Sequence, residues 1–102
     1  MNITVEELKE RLDKSEKLNL IDVREIYEHE EVNIGGELIP LGTIPTSVED
    51  LWDKKDEEII VYCRSGNRSG QAQQFLLQSG FTNVLNLTGG MLAWVDKYGK
   101  GL

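Results

Sequence analysis

The sequence predicts an α/β domain with a mainly parallel sheet and helices on both faces of that sheet. Short apolar runs typical of strands alternate with helical patterns along the whole chain, which is the order expected of this fold class. The strongest strand pattern, over residues 58–62, leads through a short polar loop directly into a helix. Strand twist then favours right-handed crossovers between successive parallel strands.

The first element is a short amphipathic helix over residues 5–13. Thr4 and Glu7 form a capping box, in which the threonine hydroxyl accepts from the Glu7 amide and the Glu7 carboxylate reaches back to Thr4. Residues 18–23 are mostly apolar and predict a strand. The charged residues 25–31 predict one or two helical turns on the protein surface.

The middle of the chain predicts shorter elements. Residues 38–41 suit a very short strand, and the proline within them places it at an edge or an end of the sheet. Residues 42–45 are expected to form a loop. Thr46 or Ser47 can then cap a short helix that runs to residue 52.

The C-terminal half contains the clearest alternation. Its pattern predicts, in order, a strand over 58–62, a loop over 63–68, a helix over 69–79, a strand over 84–87 and a helix from residue 90 onward. Gly80 ends the first of these helices at the position that glycine favours, just after the last helical residue.

Composition limits the functional classes. A chain of 102 residues predicts one domain, spanning residues 1–102, and the net charge of −7 argues against a nucleic-acid partner. One cysteine cannot form an internal disulfide. The N-terminus lacks the apolar segment of a signal peptide, and no run approaches the roughly 20 apolar residues of a membrane span. A cytoplasmic protein without membrane contact is expected.

The single cysteine, Cys63, directly follows the strongest strand. In open α/β sheets, ligands bind beyond the carboxyl ends of the strands. The loop after Cys63 contains Arg64, Ser65, Gly66, Asn67 and Arg68. Small residues let successive amides point inward as an anion-binding nest, and the following helix adds the positive end of its dipole. We expect this loop and its guanidinium groups to lower the pKa of Cys63 below its ordinary ~8.5 and to bind an anionic substrate.

Other interpretations of the thiol are also compatible with its position. A lone cysteine is more often a small buried hydrophobic residue, and arginines often only solvate a loop. Cysteine-dependent phosphatases place an arginine after five intervening residues, which here is Ser69, whereas Arg68 comes one residue early. The shorter loop favours a single transferable sulfur over a phosphoryl group and leaves a phosphatase or arsenate reductase as a less favoured alternative.

Three segments resemble one known family. The loop CRSGNRS at residues 63–69, LIDVRE at residues 20–25 and GFTNVLNLTGGMLAW at residues 80–94 are similar to the signatures of single-domain rhodanese-like proteins, the thiosulfate and persulfide sulfurtransferases. The resemblance implies a rhodanese-like fold with a five-stranded, mainly parallel sheet. It implies that Cys63 takes a sulfane sulfur from a donor, holds it as a persulfide and passes it to cyanide or a thiol without a cofactor.

The resemblance also implies roles for the neighbours of Cys63. The amides of residues 64–68 would hold the outer sulfur, and Arg64 and Arg68 would attract an anionic donor. Asp22, Arg24 and Ser69 are expected to support the loop. His29, flanked by acids, is expected to be solvated.

Further expectations concern metals and partners. One cysteine and one histidine do not supply a metal site. The segment NIGGELIPL departs from the family's usual histidine-containing pattern and is similar to rhodanese modules of sulfur-carrier-activating enzymes. A protein sulfur donor or acceptor is therefore an alternative. A non-catalytic interaction module is a separate alternative.

Overall fold

Five parallel strands form one sheet in the computed structural model, which describes residues 1–100. The strands are Asn2–Ile3 (β1), Asn19–Asp22 (β2), Glu37–Leu38 (β3), Glu58–Tyr62 (β4) and Asn83–Leu87 (β5). Their spatial order is β1-β5-β4-β2-β3, and every neighbouring pair is parallel. The central position therefore belongs to β4, the strand that precedes the cysteine.

Helices cover both faces of this sheet. They are Val5–Asp13 (α1), Ile26–Glu31 (α2), Ile44–Leu51 (α3), Asn67–Gln78 (α4) and Gly90–Tyr98 (α5), with 3₁₀ turns at Leu41–Thr43 and Trp52–Lys54. The predicted α/β fold, with a five-stranded parallel sheet between helices, is confirmed. Within residues 1–100, no helix is both long enough and apolar enough to cross a membrane.

The sheet divides the core into two clusters. Alternate residues of β4 point to opposite faces, so Ile59 and Val61 join the cluster that contains residues of α3 and α4, while Ile60 and Tyr62 join the one that contains residues of α1 and α5. All four are buried, as expected for a parallel strand covered on both faces. This packing fixes the point at which β4 ends and the cysteine follows.

Several boundaries differ from the predictions. The strand β1 was not predicted, because its two residues become a strand only by pairing with β5. The edge strand β3 ends at Leu38 and does not extend to residue 41. Helix α3 begins at Ile44, so the expected loop over 42–45 and the expected cap at Thr46 or Ser47 were wrong. Proline is tolerated in the first turn of a helix, where its missing N–H has no intrahelical acceptor.

The difference closest to the cysteine concerns helix α4. It begins at Asn67, two residues before the predicted start, with Gly66 as its N-cap. The predicted loop over residues 63–68 therefore shortens to residues 63–66. Asn67 and Arg68 belong to the first turn of the helix.

Candidate active site

Cys63 lies at the bottom of a cradle formed by the end of β4 and the start of α4. The residue is 1% exposed, and its Sγ accepts a hydrogen bond of 3.1 Å from the Gly66 amide. Gly66 adopts φ = 105°, in the left-handed region that favours glycine. This conformation turns the chain sharply, so that the loop bends back over the sulfur.

The cradle changes the acidity of the thiol. Burial raises the pKa of Cys63, but this effect is outweighed by hydrogen bonds from the Ser69 hydroxyl and from the amides of Ser69, Gly66 and Ser65. The net pKa is lowered, in the predicted direction. The loop amides contribute as expected, the Ser69 hydroxyl provides the largest stabilising contact, and the attraction between Arg68 and the thiolate is a smaller effect.

The Ser69 side chain joins the sulfur to strand β5. Its hydroxyl lies 3.3 Å from Cys63 Sγ and 2.6 Å from Asn86 Oδ1. The Asn86 amide nitrogen in turn donates to the Gly66 carbonyl over 3.0 Å. Ser69 therefore supports the site through direct contact with the sulfur, and Asn86 contacts both of the residues that donate to that sulfur.

The outer side of the loop is held by helix α5. The Met91 amide donates to the Cys63 carbonyl and the Leu92 amide to the Arg64 carbonyl, each over 2.9 Å. Gly90 makes this approach possible, since a Cβ there would lie 2.4 Å from the Cys63 carbonyl oxygen and 2.6 Å from that of Arg64. With these two carbonyls bound on the α5 side, the loop amides are left to face the sulfur.

Arg68 is paired with a carboxylate. Its Nη1 and Nη2 donate to Glu28 Oε1 and Oε2 over 2.7 and 2.8 Å. The Glu28 side chain is 14% exposed, and its bonds from Arg68 lower the pKa of that carboxyl from its usual 4.5 to about 2. The same contact raises the pKa of Arg68. The charged residues 25–31 were expected on the protein surface, and for Glu28 that expectation was wrong.

Arg64 differs from Arg68 in its environment. It is exposed, and within residues 1–100 its side chain forms no ion pair. It borders a groove of about 440 Å³ whose walls include Tyr27, Leu92 and Val95. Ser65 and Asn67 are also exposed, at the outer surface of the cradle.

Asp22 and Arg24 form a buried ion pair at the end of β2. The Arg24 Nε and Nη2 donate to the two oxygens of Asp22 over 2.9 and 2.8 Å, and Arg24 Nη2 also reaches the Val32 carbonyl. The His29 ring nitrogen Nδ1 lies 2.8 Å from Asp22 Oδ2, so the expectation of a solvated histidine was wrong. The group ties α2 to the end of β2, and α2 carries Glu28. Asp22 and Arg24 therefore reach the loop only indirectly.

Three site residues were missed by the sequence reasoning, and each left a weak signal. Asn86 is a polar residue inside the apolar run of β5, near its carboxyl end. Glu28 lies four residues after Arg24 on a helix whose other acids are exposed. Gly90 is the second of two adjacent glycines at the start of the last helix, a position where the absence of a side chain permits close backbone approach. Within the described chain, no group of three or more His, Cys, Asp or Glu side chains could hold a metal ion.

The sequence matches one family model and is similar to several known proteins. A family model described as Rhodanese-like domain matches residues 4–97. A sulfurtransferase of Allochromatium vinosum is 40% identical over 93 residues, which cover 90% of this chain and 85% of that protein. A Bacillus subtilis protein named as a sulfur carrier, YrkF, is 38% identical over 96 residues, and there the chain spans only 51% of the relative's length.

Solved structures agree with the sequence comparison. A rhodanese-like domain protein of Staphylococcus aureus superposes with a TM-score of 0.83 at 34% identity, covering 92% of this chain and 91% of that one. The human single-domain sulfurtransferase TSTD1 superposes with a TM-score of 0.78 at 26% identity, covering 94% and 96% of the two chains.

Proposed function

The chain belongs to the rhodanese-like domain family, and from that membership and the Cys63 cradle we propose that it transfers sulfur through a persulfide on Cys63. The observation that carries the proposal is the sulfur itself, which is buried, has a lowered pKa and accepts hydrogen bonds from the Gly66 amide and the Ser69 hydroxyl. A thiolate is the nucleophilic form of cysteine. The cradle therefore supports attack on an electrophilic sulfur.

The proposed reaction is a double displacement. With thiosulfate as donor, the Cys63 thiolate attacks the outer sulfur, the new S–S bond forms, and sulfite leaves with the electrons of the bond that breaks. The acceptor, a thiolate or cyanide, then attacks the outer sulfur of the persulfide and releases the Cys63 thiolate. In both steps the sulfur carrying negative charge lies near the loop amides, which stabilise that charge before and after transfer.

We assign the two arginines different roles in this reaction. The fork of Arg68 is filled by Glu28, so a small anion meets a neutralised pair there. Arg64 is exposed beside the cradle. We therefore propose Arg64 as the residue that attracts an anionic donor such as thiosulfate, and Arg68 as the residue that anchors α2 to α4.

A protein acceptor or donor is the second candidate. The groove beside Arg64 is lined by Tyr27 and Leu92, which are 70% and 47% exposed, and such a surface suits contact with another protein better than contact with thiosulfate. Relatives named adenylyltransferase and sulfurtransferase, from Mycobacterium tuberculosis and Arabidopsis thaliana, contain this domain as about a quarter of their length. A cytoplasmic location for this exchange stays a prediction.

The experiment is intact mass spectrometry after incubation with thiosulfate, polysulfide and a persulfidated protein in turn. We expect the wild type to gain the mass of one sulfur atom from at least one donor and to release it as thiocyanate on addition of cyanide. Cys63→Ser and Cys63→Ala should show neither change. A wild type that gains no sulfur from any of these donors, or that instead hydrolyses an aryl phosphate through Cys63, would contradict the proposal.

A further inference from the structure

A polar side chain of β5 ends inside the network around Cys63, and the reaction proposed above does not use it. Asn86 donates from Nδ2 to the Gly66 carbonyl over 3.0 Å and accepts at Oδ1 from the Ser69 hydroxyl over 2.6 Å. These contacts fix the orientation of the amide, because the inverted amide would set its oxygen against the Gly66 carbonyl oxygen. The Asn86 oxygen therefore faces Ser69.

The Ser69 hydroxyl has one proton and two possible acceptors. Asn86 Oδ1 lies at 2.6 Å and Cys63 Sγ at 3.3 Å, and Ser69 is fully buried. A neutral thiol is a weak acceptor, so the Ser69 hydroxyl donates to Asn86 Oδ1 while the sulfur is uncharged. A thiolate accepts a stronger, charge-assisted bond, so the Ser69 hydroxyl rotates to donate to Cys63 Sγ when the sulfur becomes an anion.

We propose that Asn86 is a positioning residue for Cys63, whose side-chain oxygen competes with the sulfur for the Ser69 hydroxyl proton and so limits how strongly the resting thiolate is stabilised. The inference rests on the sulfurtransferase activity proposed above, in which the sulfur must act both as nucleophile and as leaving group. The nucleophilicity of a thiolate falls as its pKa falls, so a limit on stabilisation keeps Cys63 reactive.

The hydrogen bond between Ser69 and Asn86 can also form in the persulfide. When the outer sulfur is bound, the negative charge lies on that atom and Sγ is again uncharged. The Ser69 hydroxyl can then rotate back and donate to Asn86 Oδ1 again, without any proton transfer. Asn86 thus favours the persulfide form, in which the negative charge lies on the outer sulfur, close to the loop amides of Ser65 and Gly66.

The electrostatic surroundings allow a clean test. Asn86 is uncharged, and the charged groups around the sulfur are Arg64 of the loop and Arg68 of α4 with its partner Glu28. Replacing Asn86 leaves all three in place. The Gly66 carbonyl also keeps a bond from the Gly70 amide of 2.9 Å, so the loop retains an anchor without Asn86.

The experiment measures the rate at which iodoacetamide alkylates Cys63, the chain's only cysteine, as a function of pH. The leucine of Asn86→Leu excludes water but offers no acceptor. We expect the midpoint of its rate profile to move to lower pH and its alkylation rate at pH 6 to rise by roughly three- to tenfold. This is the effect of one stronger hydrogen bond to a charged group. Ser69→Ala should move the midpoint to higher pH. In Ser69→Ala/Asn86→Leu the profile should equal that of Ser69→Ala.

The controls separate this route from others. Asn83→Leu, at the start of the same strand, should leave the profile unchanged, and Asn86→Ala provides a second variant if the leucine disturbs folding. A midpoint that stays or rises in both Asn86 variants overturns the proposal. So does an Asn86 effect that persists in the Ser69→Ala background, since it would then run through Gly66. Alkylation needs no sulfur donor, so failure of sulfur transfer in the wild type would reject the proposed function without deciding this point.

Discussion

The guanidinium of Arg68 and the carboxylate of Glu28 face each other in a two-bonded pair, with N–O distances of 2.7 and 2.8 Å. The pair joins the first turn of α4 to α2. Arg68, five residues after the cysteine, is thus already bound to an acid of the same chain. This relationship distinguishes Arg68 from Arg64, which forms no ion pair within residues 1–100.

Glu28→Gln should lower the free energy of unfolding at pH 7 by about 1–2 kcal/mol, because a partly buried, two-bonded ion pair is lost. The folded pKa of Glu28 is depressed from 4.5 to about 2, so its contribution is complete above pH 4.5 and is lost as the pH falls through about 2. Urea unfolding at pH 7, 4 and 3 should therefore show the difference between wild type and variant shrinking with acidification.

The matched control for that measurement is Glu30→Gln, an exposed acid of the same helix. It should change the unfolding free energy by less than about 0.5 kcal/mol at each pH. A Glu28→Gln variant as stable as wild type at pH 7, or a difference that grows on acidification, would contradict the ion pair.

Arg64→Gln should raise KM for thiosulfate by roughly fivefold with little change in unfolding free energy, because Arg64 is exposed and acts on the donor by charge alone. Arg68→Gln should behave differently, with a loss of stability comparable to that of Glu28→Gln. The assay is thiocyanate formation at increasing thiosulfate concentration. The KM effect of Arg64→Gln should weaken in about 1 M salt, where the screening length falls to about 3 Å. Equal KM values for wild type and Arg64→Gln at low salt would reject the assignment.

Gly66→Ala should destabilise the protein by about 1–2 kcal/mol, because an alanine at φ = 105° is strained. A Cβ there would meet ordinary contacts only, the nearest at 3.7 Å, so the cost is in the backbone and not in a clash. We also expect slower alkylation of Cys63 at neutral pH, since any relaxation of the turn moves the Gly66 amide away from the sulfur. Gly42→Ala, at a glycine with open space, is the control and should be neutral in both measurements.

Asp22→Asn should be the most destabilising of these variants. Asp22 is fully buried and accepts bonds from the Arg24 amide and guanidinium and from His29. The change leaves the buried Arg24 without its counter-charge, which costs about 3 kcal/mol or more. The exposed Asp50→Asn should have almost no effect on urea unfolding. A mild loss of stability in Asp22→Asn would show that Arg24 gains its stability from Val32 and solvent instead.

The regular parts of the fold were predictable because they depend on local patterns. The capping box of Thr4 and Glu7 is present as expected, with bonds of 2.9 and 3.1 Å, and β4 has the predicted bounds. The start of α4 was placed two residues late, because Gly66 caps that helix through its backbone conformation and provides no side-chain signal. A two-residue strand such as β1 has no local pattern at all.

The site was predictable only in part, because some of its contacts join residues that are far apart in the sequence. The position of Cys63 at the carboxyl end of a buried strand follows from the apolar pattern of residues 58–62, but the central place of that strand does not. The partners of the loop do not. Glu28 is 40 residues from Arg68 in the sequence and Asn86 is 20 residues from Gly66, so each pair meets only in the folded protein. Charge complementarity of Glu28 and Arg68 was visible in the sequence, but nothing local distinguished Glu28 from the exposed acids beside it.

The contact of α5 with the cysteine loop has a consequence for recognition. The carbonyls of Cys63 and Arg64 are bound by amides of α5, and that of Gly66 by Asn86 and the Gly70 amide, so the loop has little freedom to rearrange. The sulfur-loaded and sulfur-free proteins should therefore share one backbone. A partner protein could not distinguish the two by shape, and would have to sense the extra sulfur atom and its charge directly.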